Sequence, residues 1–189
     1  MRYARTVMAV VAVVVGAGVA TAEMTSGPQV GEPVGAFKVT KVAGNPEDGV
    51  TEGRNVCYRC KMGMRPVVMV FARSADEKLA KLLKKIEEEV EEHQAEKLAS
   101  FVNMIGTDAE SLKKAAGDFV AKHDLKKIAF VVPDEAENGP AEFKIAPDAD
   151  VTVICYKEGM VAANHAFAKG ALSDEKIDAV VEASCKLVE

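Results

Sequence analysis

Six consecutive apolar residues, Val67-Val68-Met69-Val70-Phe71-Ala72, run directly into an amphipathic helical pattern, and this junction restricts the fold most. A strand rich in β-branched residues with no polar alternation is buried on both faces. After it, Leu79, Leu82, Leu83, Ile86 and Val90 recur on one helical face. Ser74 and Glu77 have the spacing of a capping box, and Glu77–Lys81, Lys84–Glu88 and Lys85–Glu89 stand four apart on the outer face. Such a strand and helix imply a crossover in a partly parallel sheet.

The rest of the chain repeats the alternation. Phe37–Thr40 reads as a short strand, Gly44–Gly49 as turns, and Val50–Asn55 as a second short strand. Phe101–Ile105 is a further strand, followed by a helix that Thr107 and Glu110 cap and that runs to about Lys122, with Leu112, Ala115, Ala116, Phe119 and Val120 inward. Ile128–Val132 is a strand stopped by Pro133, and residues 133–150 form a long irregular passage. Val151–Tyr156 and Met160–Phe167 make a hairpin on Lys157-Glu158-Gly159, and Ser173 caps a last helix carrying Ile177, Val180, Val181 and Leu187.

This order resembles the thioredoxin fold, and in detail its redoxin branch. Gly35-Ala36-Phe37-Lys38-Val39 is similar to that family's opening, and Arg65-Pro66 with residues 67–71 to its central strand. Ile105-Gly106-Thr107-Asp108 through His123, then Phe130–Asp134, resembles the extra helix–strand unit of redoxins, and Asp150–Gly159 the late hairpin. The resemblance implies an α/β, three-layer fold over residues 35–189, a central mixed sheet with helices on both faces. In that family the reactive cysteine follows the central strand, where helix amides lower its pKa. Residues 73–78 contain no cysteine, and Val151 stands where the family has a cis proline. Chemistry at the usual site is therefore not expected. The resemblance also implies that Cys57, Cys60, Cys155 and Cys185 all lie toward the opposite pole of the sheet.

Just before the central strand stands Cys57-Tyr58-Arg59-Cys60, the one paired-cysteine motif in the chain. Three readings are open. Cys57–Cys60 and Cys155–Cys185, or cross-pairings, are candidate structural disulfides. Alternatively Cys57 and Cys60 form a relocated redox pair for thiol–disulfide exchange or redox sensing, with Arg59, Lys61 and Arg65 lowering thiol pKa by charge. A Gly63 and Pro66 boundary limits any helix there to about one turn. Third, Cys57, Cys60, Met62 and Met64 form a soft set suited to Cu(I), while four converging cysteines suit Zn. The redox pair leads, with a protein thiol or disulfide as partner. Tyr58 is placed to cover the cysteines or meet a partner. The acidic run of residues 87–92 reads as a solvated face, with His93 at its end.

Residues 1–22 read as a signal peptide: Arg2 and Arg5, an apolar stretch from Val7 to Ala20, then Ala20-Thr21-Ala22. Fourteen apolar residues are short of the roughly twenty that span a bilayer. The expectation is an exported protein, periplasmic or secreted, with no membrane anchor after cleavage and residues 23–34 as an extended lead-in. Removing the two arginines takes the formal charge from −5 to −7, which disfavours nucleic acid as a partner. Oligomeric state is not legible from these residues.

Overall fold

The structure, a computed structural model, describes residues 24–189. The expected signal peptide, residues 1–22, lies outside the described residues. Seven strands form one mixed sheet: β1 (Val39–Gly44), β2 (Asn55–Val56), β3 (Val67–Ala72), β4 (Ala99–Met104), β5 (Ala129–Pro133), β6 (Ala149–Lys157) and β7 (Met160–Ala168), in the order β2-β1-β5-β4-β3-β6-β7. β3, β4 and β5 are parallel, and the outer pairings are antiparallel. Central β3 is buried along its whole length, as a strand with no polar residue requires.

Alternate β3 residues enter two separate cores. Val68, Val70 and Ala72 pack with α2 (Glu77–Glu92), α3 (Ala109–His123) and α4 (Asp174–Cys185). Val67, Met69 and Phe71 face a second core closed by the short helix α1 (Tyr58–Met62), Phe143 and the segment from Val34 to Phe37. Helices thus lie on both faces, three long ones on one and α1 with a 3-10 turn at Ala141–Phe143 on the other. Residues 27–34 run beside the far edge, where Gly31 N–H donates to Val161 O and Val161 N–H to Glu32 O.

Several local expectations shift. The cap of α2 is Asp76, whose carboxylate accepts from the Lys78 and Leu79 amides, while Ser74 Oγ donates to Asp150 instead. Asp108 caps α3. A carboxylate one or two residues closer to the helix wins because it reaches the free amides and carries charge into the positive end of the dipole. The lysines of α2 pair between helices: Lys78 and Lys81 with Asp174, and Lys85 with Asp178. Glu87, read as solvated, is 8 % exposed and accepts from the Lys126 and Lys127 amides ahead of β5. Ala115, expected inward, is exposed. The second strand shrinks to Asn55–Val56.

The hairpin turn is two residues, Glu158 (φ 57°) and Gly159 (φ 78°), both left-handed as a tight antiparallel turn requires. It stands at the end of the sheet where β3 begins, since Val67 pairs with Tyr156 and Val68 with Cys155.

Candidate functional site

Pro66 ends at the mouth of β3, and Gly63 (φ 62°) closes α1, so the cysteine motif is confined to one short helix. Cys57 is the residue that caps it. Its backbone is extended, and its Sγ accepts the Cys60 amide at 3.0 Å, the role an Asp or Ser oxygen plays elsewhere. With Cα atoms 5.2 Å apart, Cys57 and Cys60 are joined as a disulfide. Cys60 is exposed and Cys57 half-buried, so an incoming group meets Cys60 first.

Tyr58, between the two cysteines, is fully buried and fixes the helix to the domain. Its ring stacks on Phe101 at 5.3 Å, and its hydroxyl donates to Asp48 Oδ2. Asp48 Oδ1 in turn pairs with Lys41 Nζ at 2.8 Å, where both side chains are under 5 % exposed. Lys41 also donates to Asn45 O and Val50 O, so all three of its protons are used. Burial, and then the Asp48 carboxylate, push the Tyr58 pKa far above the usual phenol value. Tyr58 is thus an anchor and neither shields the sulfurs nor meets a partner.

The other expected residues are dispersed. Met62 is buried in the second core, whereas Met64 is 64 % exposed, so the two methionines sit in different surroundings. Arg59 turns toward the hairpin, donating to Val34 O and Gly63 O. A Cβ on Gly159 would fall 2.2 Å from its Nη2, so glycine there makes room for the guanidinium. Arg59 therefore serves packing. Cys155 and Cys185 are free thiols and not a disulfide. Cys155 lies inside β6 facing the long helices, and burial pushes its thiol up to about 12. Cys185 ends α4, where its thiol donates to Glu89 Oε2 at 2.9 Å. The four cysteines occupy one end of the sheet but are divided by it, Cys57 and Cys60 on one side and Cys155 and Cys185 on the other.

Glu89 and His93, read from the sequence as part of a solvated face and its helix end, come together with Cys185. The first two stand one helical turn apart at the end of α2, and Cys185 joins them from α4; the three ligand atoms lie within 4.8 Å of one another. The four-residue spacing was visible in the sequence, but the partner helix was not.

A groove of about 470 Å³ borders the end of α1. Lys61, Arg65, Gln94, Lys97 and Lys127 line it together with Glu47 and Asp48, each of these carboxylates already paired with a lysine. The opposite end of β3 is tied down. Arg73, first of the residues 73–78 where the resemblance implied a reactive cysteine, donates to the carbonyls of Glu137, Ala146 and Ala149 and to Asn138 Oδ1.

No protein-family model matches the chain, and no curated protein matches it. Solved structures do. A Bacteroides thetaiotaomicron protein described as a protein disulfide isomerase superposes with a TM-score of 0.62 at 16% identity, covering 87% of this chain and 94% of its own. Mycobacterium tuberculosis AhpC gives 0.59 at 13% identity, with 86% and 99% covered. A secreted disulfide oxidoreductase from Mycobacterium tuberculosis gives 0.56 at 12% identity, with 79% and 95% covered. At these identities the likeness is one of fold, and the chain has a thioredoxin-like α/β fold. The α3–β5 unit, which resembles the extra helix–strand unit of redoxins, is present in it.

Proposed function

We propose that this protein is exported and carries out thiol–disulfide exchange with protein partners through Cys57 and Cys60. The observation that carries the reading is the capping geometry: an accessible Cys60 sulfur bonded to a Cys57 sulfur that already accepts a backbone amide. A partner thiolate attacks Cys60 Sγ, the Cys57–Cys60 bond breaks, and its electron pair goes to Cys57 Sγ. The Cys60 N–H stabilises that leaving thiolate, and a better leaving group departs faster. A second partner thiolate then attacks its own sulfur in the mixed disulfide and releases Cys60. The partner dithiol ends oxidised and the pair reduced; the reverse sequence reduces a partner disulfide. Thiol–disulfide chemistry in proteins of similar fold supports the reading, as does the expected signal peptide at residues 1–22.

The surroundings favour a protein partner with acidic residues near its cysteine. Lys61, Arg65 and Lys97 line the adjacent groove, on a chain whose overall charge is negative. Met64 and Met160, both exposed, flank the same end, where the Glu158 amide donates to Met64 O. Exposed methionines suit contact with varied apolar segments.

The test is trapping. Cys57→Ser leaves Cys60 to attack a partner disulfide with no resolving thiol, so mixed disulfides accumulate on Cys60; Cys60→Ser abolishes turnover. Full activity in Cys60→Ser, or a Cys57–Cys60 bond inert to dithiol reductant in the folded chain, removes the proposal and leaves a stapled scaffold.

A further inference from the structure

Glu89, His93 and Cys185 gather a carboxylate, an imidazole and a thiol at the joint ends of α2 and α4. From this geometry we propose that they form a three-ligand Zn²⁺ site, with water in the fourth position, separate from the Cys57–Cys60 pair.

The donor set is the first reason. Zn²⁺ binds thiolate sulfur, imidazole nitrogen and carboxylate oxygen in tetrahedral sites, whereas hard cations reject the thiol and Cu(I) has little use for the carboxylate. The spacing is the second. Bonds of about 2.0–2.3 Å to one tetrahedral ion set its ligand atoms roughly 3.3–3.8 Å apart. His93 Nε2 already stands 3.5 Å from Glu89 Oε2, and Cys185 Sγ is 2.9 Å from the same oxygen. Opening the second contact by less than an ångström brings it to that spacing too, and the third pair of ligand atoms lies within 4.8 Å.

Two further features hold the ligands in place. Glu89 and His93 are four residues apart, so one helical turn sets them on a common face. The other ring nitrogen of His93, Nδ1, stands 3.7 Å from Glu96 Oε2, a small side-chain movement away from the outer carboxylate contact that commonly fixes a zinc-bound imidazole. The two helices run in the same direction, and Lys78, Lys81 and Lys85 tie α2 to Asp174 and Asp178 of α4. The ion would end that ladder, joining the last turns of both helices. On binding, the Cys185 S–H proton leaves to solvent as the Zn–S bond forms; no electrons are transferred.

The experiment uses the full chain, stripped by chelator and kept without reductant so that Cys57–Cys60 stays oxidised. Zn²⁺ titrated calorimetrically binds one ion per chain, and Co²⁺ substitution gives the near-ultraviolet thiolate-to-cobalt band. Cys185→Ser loses both the band and stoichiometric binding. His93→Gln, at a partly exposed helix end, loses stoichiometric binding and the zinc-induced rise in Tm while its circular dichroism is unchanged. Glu96→Gln binds roughly tenfold more weakly. The double variant Cys57→Ser/Cys60→Ser binds as the parent does. No zinc uptake by the folded parent chain, uptake indifferent to both Cys185→Ser and His93→Gln, or uptake lost in the Cys57/Cys60 double variant overturns the proposal.

Discussion

The two ends of β3 solve the same problem with different atoms. At its exit, α2 begins on Asp76, whose carboxylate accepts two backbone amides. At its entrance, α1 begins on Cys57, whose sulfur accepts one. A carboxylate cap stabilises a helix start and can do nothing else, because it has no accessible redox chemistry. A sulfur cap satisfies the same amide and can also leave as a thiolate. At the exit, Arg73 bridges three carbonyls and Asn138, holding residues 137–149 against the sheet. At the entrance, Cys60 is open to solvent beside a cation-lined groove. One end of β3 is tied down by backbone and side-chain hydrogen bonds, and the other carries the sulfur pair.

The largest test of that contrast is functional. Replacing both Cys57 and Cys60 with serine is expected to remove exchange activity completely in a disulfide-reduction assay, while Arg73→Ala retains it. Equal losses in the two variants would erase the distinction between the ends. Next comes the anchor under α1. Asp48→Ala leaves Lys41 buried without its partner and frees the Tyr58 hydroxyl, a cost of about 3–5 kcal/mol in urea unfolding. The same variant is expected to slow exchange in whatever fraction remains folded, because α1 loses its tether.

A smaller effect is expected at the other end. Arg73→Ala forfeits charge-assisted hydrogen bonds from a partly exposed guanidinium, about 2 kcal/mol by the same measurement. The smallest effect, taken per pH unit, concerns pH. Burial raises the Cys155 thiol from 9.0 to about 12, so the unfolded chain loses this proton first. Stability from this group is full below pH 9 and falls as pH rises toward 12, by about 1.4 kcal/mol per pH unit. Unfolding curves of Cys155→Ala across that window are expected to be shallower by that amount, and an unchanged slope would mean the thiol ionises normally.

Much of the fold was legible because its signals are local. An unbroken apolar strand, a helix with Leu79, Leu82, Leu83, Ile86 and Val90 on one face, and a Glu158-Gly159 turn each declare themselves within about a dozen residues. The caps were misread by one or two positions, since Ser74, Asp76, Thr107 and Asp108 all suit the role and only backbone geometry chooses among them. Glu87 was misread for a different reason. Its surface-like neighbours hide the fact that the Lys126 and Lys127 amides, distant in sequence, need an acceptor.

The candidate site divides in the same way. Its sulfur pair follows from sequence, since a three-residue spacing brings two thiols together wherever the chain turns once. What the amino acids alone determined is therefore the alternation of strands and helices and the presence of one short-range cysteine pair. Tertiary packing decided the rest: that Tyr58 is an anchor, that Arg59 supports a hairpin, that Met62 and Met64 part company, and that Cys185 meets His93. The physical reason is range. Periodicity and capping act over one or two turns of chain, whereas the ligand cluster joins Glu89 and His93 to Cys185, more than 90 residues further on, and only the closed sheet brings them within reach.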